Sequence, residues 1–438
     1  MRTIRRPAPL TLLVLVLGLT LLAVPADARR EKRVPPGKWI AGLSEAKYSA
    51  VVSSTHSVEA VDGTQLTLTL HLPDGLPANE RVPTLLQITP YQPLDQALGE
   101  LAYSDYYFFV LRGAAYVEAD ARGTGGSEGC LDFGGSDDRW DARIFVDWIR
   151  DQPWSNGRVV TDGVSHPGMG SVVAHAAVPE LTGALAHAPV VSYYQDEWLQ
   201  GAKFEDQLNG PAYQGIEALP PQPPAYADPE ALKAQAATCT GETLIDYAPV
   251  DGPFTKIWAD RDLSRHSPDA RTPILLTHGF VDQNVHPDHS QLYWDALPDD
   301  YPKYAIFGWW YHGWPDMAGH PFVQFDWVRH RWLDALLFGV DNGLWLEPRV
   351  LVEDSRGNWH EGDDWPLEES RRMTFYPSEE GALRVSADRP GSVTYSDAAG
   401  AERGAWVDAH VAFRSAPLKQ DRLVNGAPTL DLVASSTT

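Results

Sequence analysis

Residues 158–179 read RVVTDGVSHPGMGSVVAHAAVP. The pattern changes halfway. RVVTDGVS, over 158–165, has the apolar, β-branched character of a buried strand, and GMGSVVAHAAVP, over 168–179, reads as a packed helix starting near Gly168 to Ser171. Ser165 stands between them, two residues after Gly163 and three before Gly168. A strand that turns sharply into a helix needs glycines at such places, because the backbone passes too close to itself for a Cβ, and it lifts the serine hydroxyl clear of the sheet. Pro167 is tolerable there as a first-turn helical residue. An ordinary serine in a glycine-rich loop is the alternative, and G-x-S-x-x-G alone does not choose between them. The rest of the chain has to supply a base, an acid and an oxyanion site.

Working outward, YSAVVSS, HSVEAVDG, QLTLTLHL and PTLLQITP read as four strands over residues 48–90, and YVEADARG follows as another. DDRWDARIFVDWIRDQ places Trp140, Ile144, Phe145, Trp148 and Ile149 at helical spacing. ALAHAPVVS, TPILLTHGF and KYAIFGWW are further strands, and FVQFDWVRHRWLDALLFG is a closing amphipathic helix. Strands alternating with helices predict an α/β sheet covered on both faces. The proline- and alanine-rich text over about 195–265 reads as a helical cap inserted into that domain, which spans 45–345. From 346 to 438, short strands (PRVLVED, RMTFYPS, LRVSAD, GSVTYSD, AWVDAHVAF) with turn signals between them predict a β-sandwich.

Asp282 lies just past the apolar strand TPILLTHGF and His312 just past KYAIFGWW. Ser165, Asp282, His312 is the α/β-hydrolase order of nucleophile, acid and base. In that arrangement His312 accepts the serine proton while Asp282 holds its tautomer. His320 and Asp288 are the competing base and acid. The segment HPDH, with His286, Asp288 and His289, has ligand-type side chains but no matched second half, so no metal is expected. One oxyanion donor would be the N–H of His166, and the hydroxyl of Tyr91, after the strand LLQITP, is a candidate for the second.

The ends and the composition bound the setting. Arg2, Arg5 and Arg6 precede the apolar run Leu10 to Val24, and Ala26-Asp27-Ala28 offers a cleavage site, so residues 1–28 read as a signal peptide and the chain as secreted, with no membrane attachment after cleavage. A formal net charge of −24 repels phosphate backbones and excludes nucleic acid as a partner. Cys130 and Cys239 are the two cysteines; an oxidising compartment invites a disulfide between them, with two free buried thiols as the alternative.

Several longer stretches resemble, in order, the cocaine-esterase and Xaa-Pro dipeptidyl-peptidase (CocE/NonD) family of serine hydrolases. They are VDGTQLTLTLHLP (61–73), TPY (89–91), YVEADARGTGGSEG (116–129), DWIRDQPWSNGRVVTDGVSHPG (147–168) and FTKIWADRDL (254–263). LTHGFVDQNV (276–285), GWWYHG (308–313), RWLDALLFGVDNG (331–343) and LVEDSRGNWHEGDDWP (351–366) complete the series. The resemblance implies an α/β-hydrolase domain with a helical cap and a C-terminal β jelly roll, and no cofactor. It assigns Ser165, Asp282 and His312 to nucleophile, acid and base, and Tyr91 to an oxyanion hydroxyl. Two departures stand out. His166 replaces a common aromatic residue, and the jelly-roll text ends early, so the domain is reduced or the chain is a fragment.

By the same resemblance the substrate is a peptide or small molecule: a dipeptide ending in proline at a free N-terminus first, an ester or α-amino-acid ester second. SYYQDEW, with Tyr193, Tyr194, Asp196 and Glu197, offers aromatic faces and carboxylates to a substrate amine; a solvated acidic turn is the alternative. A reading from another class is a non-catalytic carbohydrate-binding protein on a hydrolase scaffold.

Overall fold

The structure is a computed structural model that describes residues 17–22, 43–91, 106–197, 253–266, 271–315, 325–387, 392–393 and 412–431. It divides into two units, one of residues 31–361 and one of residues 1–30 with 362–438. The first strand of the chain, β1 (Leu17–Leu22), belongs to the second unit.

In the larger unit the strands are β2 (Val51–Glu59), β3 (Gln65–Pro73), β4 (Val82–Thr89), β5 (Ala115–Asp120), β6 (Ser155–Val164) and β7 (Gly183–His187). β8 (Ile274–Gly279), β9 (Lys303–Gly308), β10 (Val350–Glu353) and β11 (Trp359–Gly362) complete one sheet, in the order β11-β10-β9-β8-β7-β6-β4-β5-β3-β2. From β10 to β5 the neighbours are parallel, and β3 and β2 add on antiparallel. The helices are α1 (Ser136–Asp151), α2 (His166–Ala177), α3 (Tyr193–Glu197), α4 (Lys256–Asp260), α5 (Asp288–Ala296) and α6 (Phe325–Leu333), the last running into a π turn. The central strands are buried along nearly their whole length, as parallel strands covered on both faces must be. This is the α/β-hydrolase architecture.

Three details correct the sequence reading. YSAVVSS and HSVEAVDG form one strand, β2, because Ser53 to Ser57 continue its pairing with β3 without a turn. The buried face of α1 is Asp141, Ala142, Phe145, Val146 and Ile149, leaving Trp140 exposed. The helix is rotated because Asp141 turns inward to a two-pronged bond with Arg122, Nε at 2.8 Å and Nη2 at 2.7 Å. Finally, PRVLVED is not a sandwich strand. It is β10, parallel to β9 with Val350 beside Ala305, and the larger unit runs on to residue 361.

The smaller unit is antiparallel and β-rich. β12 (Arg371–Pro377) pairs with β1, Leu17 beside Phe375, and with β13 (Leu383–Arg384). β14 (Leu423–Val424) and β15 (Thr429–Leu430) also pair with β1. Thus six residues of the apolar run expected to be a leader's core form a strand of this sheet. Most of AWVDAHVAF and of GSVTYSD, and most of the expected cap, lie outside the described residues. Cys130 is disulfide-bonded, and the other cysteine, Cys239, lies outside the described residues.

Asp120 closes β5 wholly buried. Its Oδ2 accepts the Gly126 N–H at 2.6 Å, while Oδ1 has no hydrogen-bond partner among the described residues. Burial pushes its carboxyl up to about 8. A folded-state value above the unfolded one, about 3.9, stabilises the fold at low pH, and that contribution is lost as pH rises through the folded value. The thermal midpoint is therefore expected to fall between about pH 4 and pH 8, and Asp120→Asn to flatten that fall by about 5 °C. An unchanged slope in melts of the variant would assign the fall to another group.

Candidate active site

β6, β7, β8 and β9 are adjacent and parallel, so their C-terminal ends open on one edge of the sheet. Ser165 is the residue after β6, Asp282 stands in the loop after β8 and His312 in the loop after β9. Ser165 has φ +66° and ψ −127°, a conformation that costs a non-glycine residue about 1–3 kcal/mol and persists only where the surroundings impose it. Here they do. Ser165 N–H donates to His187 O at 2.9 Å, and Ser165 O accepts from Met169 N–H at 2.9 Å. A Cβ on Gly163 would lie 2.5 Å from the Pro167 backbone, and one on Gly168 would lie 2.5 Å from His187 O. The helix begins at His166, earlier than the run GMGSVV implies, because the serine itself serves as its N-cap residue. Pro167 falls in the first turn, where its missing N–H is no loss.

His312 and Asp282 meet. His312 Nδ1–H donates to Asp282 Oδ2 at 2.8 Å, which leaves Nε2 as the lone-pair nitrogen. Asp282 Oδ1 accepts the N–H groups of Asn284 and Val285 at 2.9 and 3.0 Å. Burial alone would raise this carboxyl, but hydrogen bonds from His278 and His312 outweigh it and hold Asp282 well below the usual carboxylate range. His278, on β8, lies 3.4 Å from Asp282 Oδ2 and donates from Nε2 to Val285 O at 2.9 Å. It thereby braces the turn that carries the acid.

The His312 loop is anchored by its tryptophans. Trp310 is buried in a slot that two glycines make, since a Cβ on Gly279 would lie 2.0 Å from Trp310 O and one on Gly308 would lie 2.2 Å from its ring. Trp309 and Tyr311 on either side are exposed, and Trp309 N–H is held by Glu353 at 3.0 Å.

Tyr91 follows β4, the parallel neighbour of β6, and its ring stands edge-to-face with His166 at 6.3 Å. The structure thus brings together the rings of the two residues expected to supply oxyanion donors. Burial pushes the His166 imidazole down to about 3, so its side chain is neutral. That side chain lines a small cavity with Arg122, Asp141 and Met169.

Tyr193, Tyr194 and Asp196 lie on α3. Tyr193 packs on Phe133 at 4.8 Å, and Tyr194 packs on Phe254 at 4.9 Å and Trp258 at 5.8 Å. Asp196 is buried, its Oδ1 3.6 Å from His289 Nε2. The HPDH segment is explained by this packing: His289 Nδ1 accepts the Val191 N–H at 3.0 Å, which fixes the approach to α3, and Asp288 opens α5. Among the described residues no three His, Cys, Asp or Glu side chains converge as a metal-binding group. The side chain of Glu197, and His320, lie outside the described residues.

A second serine–histidine pair competes on distance alone. Ser53 Oγ is 2.7 Å from His71 Nδ1, and His71 Nε2 is 4.0 Å from Glu118. Ser53 is in mid-strand, paired directly with His71 in the β2–β3 ladder. It has neither the sharp turn nor the helix N-terminus that Ser165 has. Sequence reasoning missed His278 and also Asp162, His187 and Arg329, a buried cluster below Ser165. Their signal was a titratable residue inside an otherwise apolar strand or helix face, which must be hydrogen-bonded.

The profile of the X-Pro dipeptidyl-peptidase (S15) family matches residues 62–314, and that of the X-Pro dipeptidyl-peptidase C-terminal non-catalytic domain matches 342–438. A Streptomyces avermitilis protein bearing the Xaa-Pro dipeptidyl-peptidase name is 27% identical over 372 residues, 77% of this chain and 52% of that one. The cocaine esterase of a Rhodococcus species is 27% identical over 382 residues, 78% of this chain and 65% of that one. The chain spans about half the length of the first of these curated relatives. Among solved structures, an α-amino acid ester hydrolase superposes with a TM-score of 0.58 at 19% identity, over 78% of this chain and 64% of that one. An aminopeptidase from a Thaumarchaeota archaeon gives 0.58 at 20%, over 83% and 65%. At such identities the superpositions establish the fold.

Proposed function

Because the chain belongs to the X-Pro dipeptidyl-peptidase (S15) family, we propose that it is a serine hydrolase that cleaves an amide or ester through an acyl-enzyme, with Xaa-Pro dipeptides at a free N-terminus as its first substrate class. The observation that carries the reading is the His312–Asp282 bond of 2.8 Å, together with a serine held at φ +66° at the end of β6, a parallel strand of the same sheet. His312 Nε2 takes the Ser165 proton as Oγ attacks the carbonyl carbon. The carbonyl oxygen becomes an anion and turns to the His166 N–H and the Tyr91 hydroxyl. The imidazolium, stabilised by the Asp282 carboxylate, then gives its proton to the leaving amine or alcohol, and the acyl group stays on Oγ. Water repeats the sequence and releases the acid.

A free substrate amine would be met by Asp196, with Tyr193 and Tyr194 as aromatic walls and Glu197 next in sequence. Export is part of the proposal, and cleavage after Ala28 would withdraw β1 from the smaller sheet. An ester or α-amino-acid ester is the second reading, since the same acyl chemistry serves it.

Turnover of Ala-Pro-nitroanilide, its N-acetylated form and a short nitrophenyl ester separates these readings. Cleavage of the free-amine amide alone is the expected result, and cleavage of the ester alone would discard the dipeptidyl reading. Tyr91→Phe is expected to lower kcat by about 10²- to 10³-fold, the usual cost of one oxyanion donor. A rate within threefold of the wild type, on the order of 0.6 kcal/mol, would remove Tyr91 from the mechanism.

A further inference from the structure

Below Ser165 lies a buried polar ladder that the acyl-transfer steps do not use. Asp162, on β6, is fully buried, and its Oδ1 accepts from His187 Nε2–H at 3.0 Å. His187 closes β7, and its Nδ1 accepts from the Thr277 hydroxyl on β8 at 2.8 Å. The ladder therefore crosses three adjacent strands, including those that lead to Ser165 and Asp282. The second oxygen of Asp162 takes Arg329 Nε, from α6, at 2.6 Å. Trp314, two residues after His312, lies 4.7 Å from the His187 ring and 5.0 Å from the Arg329 guanidinium.

The main chain of His187 grips the same turn. Its carbonyl accepts the Ser165 N–H at 2.9 Å. The next residue, Ala188, has φ +43°, so two non-glycine residues in left-handed conformations stand at the ends of adjacent strands. Each is strained, and each needs neighbours that leave no alternative.

We propose that His187 is a positioning residue that clamps the Ser165 turn to the loop bearing His312 and so keeps nucleophile and base in register. The inference rests on the assignment of Ser165 and His312 made above. Burial holds the His187 imidazole below its ordinary range despite the pull of Asp162, so the ring is neutral and offers one donor and one acceptor. Those two match the Asp162 carboxylate and the Thr277 hydroxyl. Arg329 balances the charge of Asp162, and the two outweigh in opposite senses: burial raises the Asp162 carboxyl, while Arg329 and then His187 bring it below its usual value.

The test compares His187→Gln, whose amide also offers one donor and one acceptor, with His187→Leu, which fills similar volume and offers neither. A fluorophosphonate reports the reactivity of Ser165 without dependence on substrate. With Leu, labelling at Ser165 is expected to reach one per chain but about 10²-fold more slowly, the cost of displacing a reacting group by about 1 Å. kcat is expected to fall by the same factor while KM stays within about twofold of the wild-type value, as for a loss confined to the transition state. Gln is expected to stay within about fivefold of the wild type, roughly one hydrogen bond.

Equal rates for Leu and Gln would overturn the clamp. So would a Leu variant in which only a fraction of chains label, at the wild-type rate, since that is a loss of folded protein. Should the Leu variant not fold, Thr277→Val decides, because it removes only the hydroxyl facing Nδ1. About fivefold slower labelling is expected and a wild-type rate overturns the proposal. A wild-type protein labelled elsewhere than Ser165 defeats the nucleophile assignment and the clamp together, whereas label at Ser165 with unaffected variants defeats the clamp alone.

Discussion

Ser165→Ala is expected to lower kcat by about 10⁶-fold on any ester or amide the protein turns over, leaving only the small rate that oxyanion donors and binding supply. The loss is that large because nucleophile and base act as a unit: without Oγ, His312 has no proton to take and the hydrolysis must proceed by direct attack of water. The fold is expected to survive, since alanine removes one oxygen from a half-buried position and keeps the strained turn. Ser165→Gly separates strain from chemistry. It is equally inactive, but glycine occupies φ +66° without the Cβ clash, so the variant is expected to be more stable than Ser165→Ala by about 1 kcal/mol. Fluorophosphonate labelling of the wild type followed by peptide mapping checks the assignment directly. Label on Ser53, whose hydroxyl faces His71 at 2.7 Å, would move the nucleophile to the wrong end of the sheet for Asp282 and His312 and sink the reading.

What could be read from the sequence follows from how local each signal is. The Ser165 turn was legible because a buried parallel strand is a continuous apolar run, and the glycines that relieve close approach lie within three residues of the serine. Asp282 and His312 were legible because each is a polar residue just past such a run. His187, Asp162 and Arg329 were not, since their meaning lies in partners 25 to 167 positions away along the chain. The same limit hid the rotation of α1: Asp141 looks like a surface residue until Arg122 reaches it. PRVLVED was misplaced for a different reason. A four-residue strand at the far side of a parallel sheet and a sandwich strand have the same text, and only the pairing of Val350 with Ala305 distinguishes them.

Asp282→Asn is expected to lower kcat by about 10⁴-fold. Asp282 Oδ1 accepts two backbone N–H groups, from Asn284 and Val285, so the amide oxygen of asparagine is bound to occupy that place. Its NH₂ then falls where Oδ2 was, facing His312 Nδ1 at about the 2.8 Å of the present bond. A donor now meets a donor, and His312 must turn its lone pair to Nδ1 and carry its proton on Nε2. In that tautomer it cannot accept the Ser165 proton. The same NH₂ also faces His278 Nε2–H, 3.4 Å away in the native protein, so the loop loses a brace as well as a charge. The pH dependence has a definite sign. The folded carboxyl of Asp282 ionises below its unfolded value of about 3.9, so it contributes stability that is present above that pH and is lost as pH falls towards the folded value. Thermal melts are therefore expected to decline more steeply below pH 4 for the wild type than for the variant. A variant that keeps turnover within about tenfold, or 1.4 kcal/mol, would show that His312 is oriented by something other than Asp282.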